Sequence, residues 1–318
     1  MTRRSILTLG ITGVTALLVA CQDEMSAPEP PGIPRFSVEA ADAESAADQI
    51  SRFMDETNAA LAAAGAEFRV VKAAYITYAG SHEAGAEIIQ KDVGNKRLEE
   101  EFVPFDPRRT WSDPNGGITY AIDQTIDAVP PSGLPASETT AAIQRAMATW
   151  DAVKCSNLNI TQNPDFGLDI GVVAFQLSGG LIGSPFIFAD IQHAGWRDLD
   201  FAGGTLAATF TFIFVDEDGN ATDINGDGKD DVAFREIYYD PSWLWNINGD
   251  IDVETVALHE AGHGLSQDHF GNIMIKNDGT LKAAPRAVMN ALYAGPLQKL
   301  QGSDNGGHCS IWANWPNH

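Results

Sequence analysis

The sequence predicts an α/β (α+β) fold, and three observations carry that expectation. Segments with apolar residues at helical spacing alternate with short runs of β-branched and aromatic residues. Hydrophobic residues make up 44% of 318, an ordinary share that excludes wholesale disorder. No internal repeat is present, which leaves a globular rather than a repeat architecture. The charge balance adds a limit on partners. With 20 Lys+Arg against 43 Asp+Glu and a net charge of −23, a nucleic-acid partner is disfavoured, because phosphate neutralisation needs clustered cations. An acidic excess of this kind suits extracytoplasmic solubility or bound divalent cations.

In chain order, residues 1–20 read as an address. Arg3 and Arg4 precede an apolar run from Ile6 to Ala20, a basic start and short apolar stretch typical of a signal peptide and short for a membrane span. Leu18-Val19-Ala20-Cys21 resembles the bacterial lipobox, in which the Cys is lipidated and becomes the new N-terminus. The chain is then expected in the bacterial cell envelope, held by lipid on Cys21, at the outer membrane or extracellular face, because Gln22 rather than Asp comes next. Residues 21–38 hold four Pro and suit a tether. Residues 39–105 form a small α+β unit, either an inhibitory pro-region or a spacer, expected to pack on the larger unit at 106–318. Its helix carries Ile50, Phe53, Met54 and Leu61, and its strand runs from Phe68 to Tyr78.

Residues 106–318 form the second unit. A strand is expected at Ile118–Asp123. A helix comes after it, capped by Ser137 or Thr139, with Ile143, Met147, Trp150 and Val153 on one face. Further strands are expected at Leu158–Thr161, Ile170–Phe175, Phe186–Ile191, Thr209–Val215 and Arg235–Tyr239. One long loop region is placed between about 192 and 250, and a second helix at about Val253–Leu265. Cys155 and Cys309 are the pair left after Cys21, and in an oxidising compartment they most simply make one disulfide. Neither has the CxxC-type spacing of a zinc ligand.

The most informative stretch is His259-Glu260-Ala261-Gly262-His263, with His269 six residues later. One helical turn separates the first two His, so both imidazoles leave one face. Glu260 is rotated by about 100° from His259, able to reach a water on a metal without ligating it. A helix end near residues 264–266 lets His269 return as a third ligand. Three neutral His with an open fourth position form the arrangement of a catalytic zinc.

HEAGHGLSQDH at 259–269 resembles the HExxHxxGxxH motif of the metzincin zinc peptidases, and its flanks resemble the matrixin branch. ITYAID with the helix after it, ADIQHAGW, REIYYDPSW and AVMNALY are the matching flanks, covering about residues 106–318. The resemblance implies a metzincin-like catalytic domain, a twisted and mostly parallel sheet with an active-site helix. It also implies Met289 beneath the zinc and Tyr293 on the wall of a specificity pocket. The implied activity is that of a zinc metalloendopeptidase, expected as a monomer acting on a polypeptide substrate. In it Glu260 is the general base toward a zinc-bound water. The substrate is expected to pair with an exposed sheet edge, at Phe186–Ile191 or its neighbour. Departures are visible too. Ser266 stands where the motif has Gly, at a place often chosen for φ > 0. Met274 is a rival to Met289. No Cys lies between Cys21 and Cys155 to act as a cysteine switch, and His193 reads as an ordinary hydrogen-bonded residue rather than a structural-zinc ligand. Asp106, a turn residue before Pro107, is an alternative inhibitory zinc ligand.

A second metal motif lies in the acidic stretch from Val215 to Phe234. Asp223, Asn225, Asp227 and Asp231 take positions 1, 3, 5 and 9 of an EF-hand-like loop with Gly228 at the turn, though Phe234 replaces the closing Glu. A structural Ca2+ is expected there. Two rival functions remain: a non-enzymatic metal-binding surface lipoprotein, and a zinc amidase acting on cell-wall amides. Glu260 speaks against the first, since a structural zinc has no use for a base.

Overall fold

The computed structural model describes residues 44–90, 99–125, 129–165 and 167–317. The leader at 1–20, Cys21 and the tether at 21–38 lie outside them. Among the described residues no helix is long and apolar enough to cross a membrane.

Helix α1 (Ala46–Ala63) is capped by Ser45, whose hydroxyl accepts the Asp48 N–H at 3.1 Å, and it buries Ile50, Phe53, Met54 and Leu61 as the spacing predicts. Strand β1 (Phe68–Tyr78) comes next, then β2 (Glu87–Ile89), β3 (Glu100–Glu101) and β4 (Ile118–Ile122). Helix α2 (Ala136–Asp151), β5 (Ile160–Gln162), the short α3 (Val172–Leu177), β6 (Ile191–Trp196), β7 (Thr205–Phe214) and β8 (Asp230–Tyr239) succeed them. After β9 (Trp245–Asn246) and β10 (Ile251–Asp252) lies α4 (Val253–Gly264), then β11 (Asn272–Ile275), β12 (Leu281–Ala284), β13 (Leu292–Tyr293) and α5 (Gly302–Trp312).

The main sheet is mixed and nine-stranded, in the order β13-β1-β7-β8-β6-β4-β5, with β2 on β1 and β3 on β8. Strands β5, β4, β6 and β8 are parallel, as expected, but the longest ladders, β1 with β7 and β7 with β8, are antiparallel. The expected mostly parallel sheet is therefore corrected to a mixed one. One core joins the β4 side chains Ile118, Tyr120 and Ile122 to α2, α4 and Trp312 of α5. The other places Phe210, Phe212, Phe234 and Tyr238 against α1 and α3. The N-terminal segment is stitched into this sheet: β1 pairs with β7 from Phe68↔Phe214 to Thr77↔Thr205.

Several local expectations are overturned. Residues 170–175 are not a strand, because Gly171 turns the chain at φ 135° and the buried Glu236 carboxylate accepts the N–H groups of Val172 and Val173, starting α3. Two β-branched Val argued for a strand, and this tertiary contact outweighs them. Phe186–Phe188 is irregular; Pro185 offers no N–H for a ladder, and the strand begins only at Ile191. The strands expected at Thr209–Val215 and Arg235–Tyr239 are present as β7 and β8, each ten residues long, buried throughout and starting earlier than expected, so the long loop region placed between 192 and 250 is interrupted by both. Helix α2 begins at Ala136 with Pro135 as its cap, not Ser137 or Thr139. Cys155 and Cys309 are bonded, with Cα atoms 5.7 Å apart, tying the end of α2 to α5. Closing 154 residues, the bridge is worth at most roughly 5 kcal/mol in the chain-entropy model.

Candidate metal centre

Helix α4 is fixed before its histidines are. Asp252 caps it by accepting the Thr255 N–H at 2.9 Å, and Trp150 of α2 donates its indole N–H to the Leu258 carbonyl at 2.9 Å. Ala257, Ala261 and Gly262 keep the buried helix narrow. At Gly262 a Cβ would collide with Met289 Sδ and lie 3.0 Å from the Trp150 ring. The helix ends where Ser266 takes φ 67°, and Gly264 stays helical. That left-handed turn at a non-Gly residue costs about 1 kcal/mol. The buried Arg235 offsets part of it, donating to Ser266 Oγ at 2.7 Å and to the Gly264 carbonyl at 3.0 Å. The turned chain delivers His269 to the other two histidines.

The three Nε2 atoms converge. His259 to His263 is 3.1 Å, His259 to His269 is 3.2 Å and His263 to His269 is 3.3 Å. A tetrahedral ion with metal–nitrogen bonds of about 2.0–2.1 Å would hold its ligands about 3.3 Å apart, so the spacing fits zinc. The tautomers fit as well. Nδ1 of His259 lies 2.7 Å from the Val288 carbonyl, and Nδ1 of His263 lies 2.7 Å from the Gln267 carbonyl. A carbonyl only accepts, so each Nδ1 carries the proton and each Nε2 presents a lone pair. The lone pairs of His259 and His263 face each other 3.1 Å apart and cannot satisfy one another, and with His269 the cluster could hold a metal ion. Burial, and then the neighbouring imidazoles, push His259 down to about 3 and His263 well below its ordinary value, which keeps both neutral.

His269 is backed differently. Glu87 Oε1 of β2 accepts its backbone N–H at 2.7 Å and lies 2.7 Å from its Nδ1. The ring approach leaves Nδ1 without a well-formed hydrogen bond. Burial alone would raise the Glu87 carboxyl, but His269 outweighs it and holds the group down to about 2.

Glu260 is fully buried. Its Oε2 accepts the Thr209 hydroxyl of β7 at 2.6 Å, while Oε1 has no partner. Burial, only partly opposed by Thr209, pushes the carboxyl up to about 8. A buried carboxyl oxygen without a hydrogen-bond partner is costly in a fold that has no use for it.

Met289 lies under the helix against Gly262, whereas Met274 sits exposed in β11. Asp304 secures this floor, accepting the N–H groups of Val288 and Met289 at 3.0 and 3.1 Å. Tyr293 lines a small cavity with Thr255, His259, Val288 and Leu292, and its hydroxyl accepts the Asp252 N–H at 2.8 Å. Sequence reasoning missed Glu87, Thr209 and Asp304. Only Asp304 left a local signal, the reciprocal Gln301–Asp304 capping box of α5.

Other expected site residues fall elsewhere. His193 is a buried, hydrogen-bonded residue, its Nδ1 2.9 Å from the Tyr239 hydroxyl. Asp106 is occupied by Arg108, with an N–H at 2.9 Å and the guanidinium at 2.7 Å. In the acidic turn, Asp223 accepts the N–H groups of Gly226, Asp227 and Gly228, and Asn225 donates to Asp227 at 2.8 Å. Asp231 is buried and engaged differently, bonded to Arg108 at 2.7 Å and to Thr222 at 2.6 Å and accepting the Ile224 N–H at 3.0 Å. No protein-family model matches this chain, and no curated protein matches it either.

Proposed function

We propose that the chain is a zinc-dependent metalloendopeptidase of the metzincin type, hydrolysing peptide bonds in polypeptides. One observation carries the reading: three Nε2 atoms meet within 3.1–3.3 Å, two of them with Nδ1 bonded to a carbonyl so that Nε2 presents a lone pair, and the same helix holds the unpartnered Glu260 Oε1. His259, His263 and His269 would hold the ion. Bound there, zinc supplies Lewis-acid polarisation of a carbonyl and a water of lowered pKa. Thr209 orients Glu260 by taking Oε2, which leaves Oε1 to accept the proton of the attacking water and return it to the leaving amine. Val288, Gln267 and Glu87 hold the three imidazoles in the ligating orientation.

The bare Glu260 oxygen disfavours a purely structural metal, which needs no base. For the acidic turn, calcium is the proposed cation, held by Asp223, Asn225 and Asp227. Residues 1–38 support an envelope location through lipid on Cys21. The test is zinc analysis with hydrolysis of an unfolded polypeptide, before and after chelation and zinc return. One zinc per chain and zinc-restored hydrolysis are expected. Cleavage of muropeptides but not of polypeptides would favour the cell-wall amidase instead.

A further inference from the structure

Past His269 the chain forms a hairpin. Strands β11 and β12 pair, among the described residues, only with each other, from Asn272↔Ala284 to Ile275↔Leu281. All four β11 residues are exposed, and Ile275 reaches 77%. A two-stranded hairpin with nothing covering it is marginal in water. Side chains alternate along a strand, so Ile273 and Ile275 share one face with their cross-strand partners Ala283 and Leu281. That face is entirely apolar. The opposite face carries Asn272, Met274, Lys282 and Ala284, which makes the hairpin amphipathic.

Charge narrows what covers it. In a chain with 43 acidic and 20 basic residues, segment 270–286 reverses the balance, setting exposed Lys276, Lys282 and Arg286 against Asp278 alone. Lysines behind an apolar face suit a surface that is hydrocarbon below and anionic above, where the stems pack on apolar matter and the ammonium groups meet phosphates. The hairpin's place points the same way. Helix α1 starts beside Glu83, whose carboxylate accepts the Ala46 N–H at 3.2 Å. Ala79 and Gly80, a few residues before Glu83 in the loop after β1, line a cavity of about 420 Å³ together with Lys276, Thr280 and Leu281. The described residues begin at Glu44, so they start on the flank that bears the hairpin. The stretch from Cys21 to Glu44 reaches at most about 80 Å when extended.

We propose that the β11–β12 hairpin docks on a phospholipid bilayer with anionic headgroups. Its Ile273 and Ile275 face enters the boundary between headgroups and acyl chains, and Lys276 and Lys282 meet the phosphates. This goes beyond the peptidase reading and rests on the envelope location proposed with it. A lipid on Cys21 keeps the chain near a bilayer, and the hairpin decides which side of the protein faces it. Because β11 starts three residues after His269, docking sets the metal centre close to the membrane surface, within reach of membrane-attached polypeptides.

The chain of residues 22–318, carrying no lipid, would be sedimented with vesicles of phosphatidylethanolamine and phosphatidylglycerol, and with vesicles of phosphatidylcholine alone. Binding is expected to the anionic vesicles and to weaken with salt. It should fall at least about tenfold in Ile273→Ser/Ile275→Ser and in Lys276→Glu/Lys282→Glu, with Tm and zinc content unchanged. Absence of binding to the anionic vesicles, or equal binding by wild type and both variants, would overturn the proposal. So would a wild-type dimer that is lost in the Ile variant and ignores vesicles, which would assign the face to a second copy. Hydrolysis of a soluble polypeptide is expected to be equal in the three chains. Its absence beside vesicle binding would count against the peptidase reading alone, and an unacylated Cys21 in the chain isolated from cells against the anchor alone.

Discussion

The three histidines around α4 and the acidic turn at 223–227 both gather metal-type donors, yet they are supported in opposite ways. His259 and His263 are buried and His269 half-buried, and each is backed by a separate partner, a carbonyl for His259, a carbonyl for His263 and the Glu87 carboxylate for His269. The turn is exposed, and its Asp223 is engaged with the N–H groups of its own loop. In the first case the protein has already met the cost of ordering the ligands. In the second, a cation would have to order carboxylates against solvent. Preorganisation, more than the number of donors, separates a built centre from a candidate one.

The contrast breaks first at Glu260. Glu260→Ala is expected to lower hydrolysis by about 10²–10⁴-fold with zinc still bound, whereas His263→Ala is expected to lose the zinc itself, both read by metal analysis beside peptide cleavage. Next comes the turn. Calcium at a hundredfold excess over its Kd is expected to stabilise the fold by about 2.7 kcal/mol, an effect removed by Asp223→Ala and read as a shift in Tm. Unchanged Tm would make the turn a solvated loop. Gly262→Ala should cost about 1–3 kcal/mol through overpacking against Met289, measured by chemical denaturation. The smallest effect is expected at Ser266→Gly. Relief of the left-handed turn, about 1 kcal/mol, is set against the lost Arg235 contact, so the net change should stay below about 1 kcal/mol in the same denaturation series.

Much of the site was legible because a helix converts spacing into geometry. His259 and His263 stand one turn apart on any helix, and the strand at Phe68–Tyr78 was readable from its β-branched and aromatic residues. Long-range contacts were not legible. Nothing near Glu87 in sequence announces His269, 182 residues away, and Thr209 gives no sign that it meets Glu260. The same limit explains Asp231, which has the right loop position but is claimed by Arg108, 123 residues away. A strand pattern also does not say which strand lies beside it, and only the register reveals that β1 lies along β7.

The most direct measurement is made in the zinc-loaded chain, with and without Glu260→Ala. One zinc per chain in both, with polypeptide hydrolysis only where Glu260 is retained, is the result a zinc endopeptidase predicts. A zinc-loaded chain that leaves every polypeptide intact would contradict it.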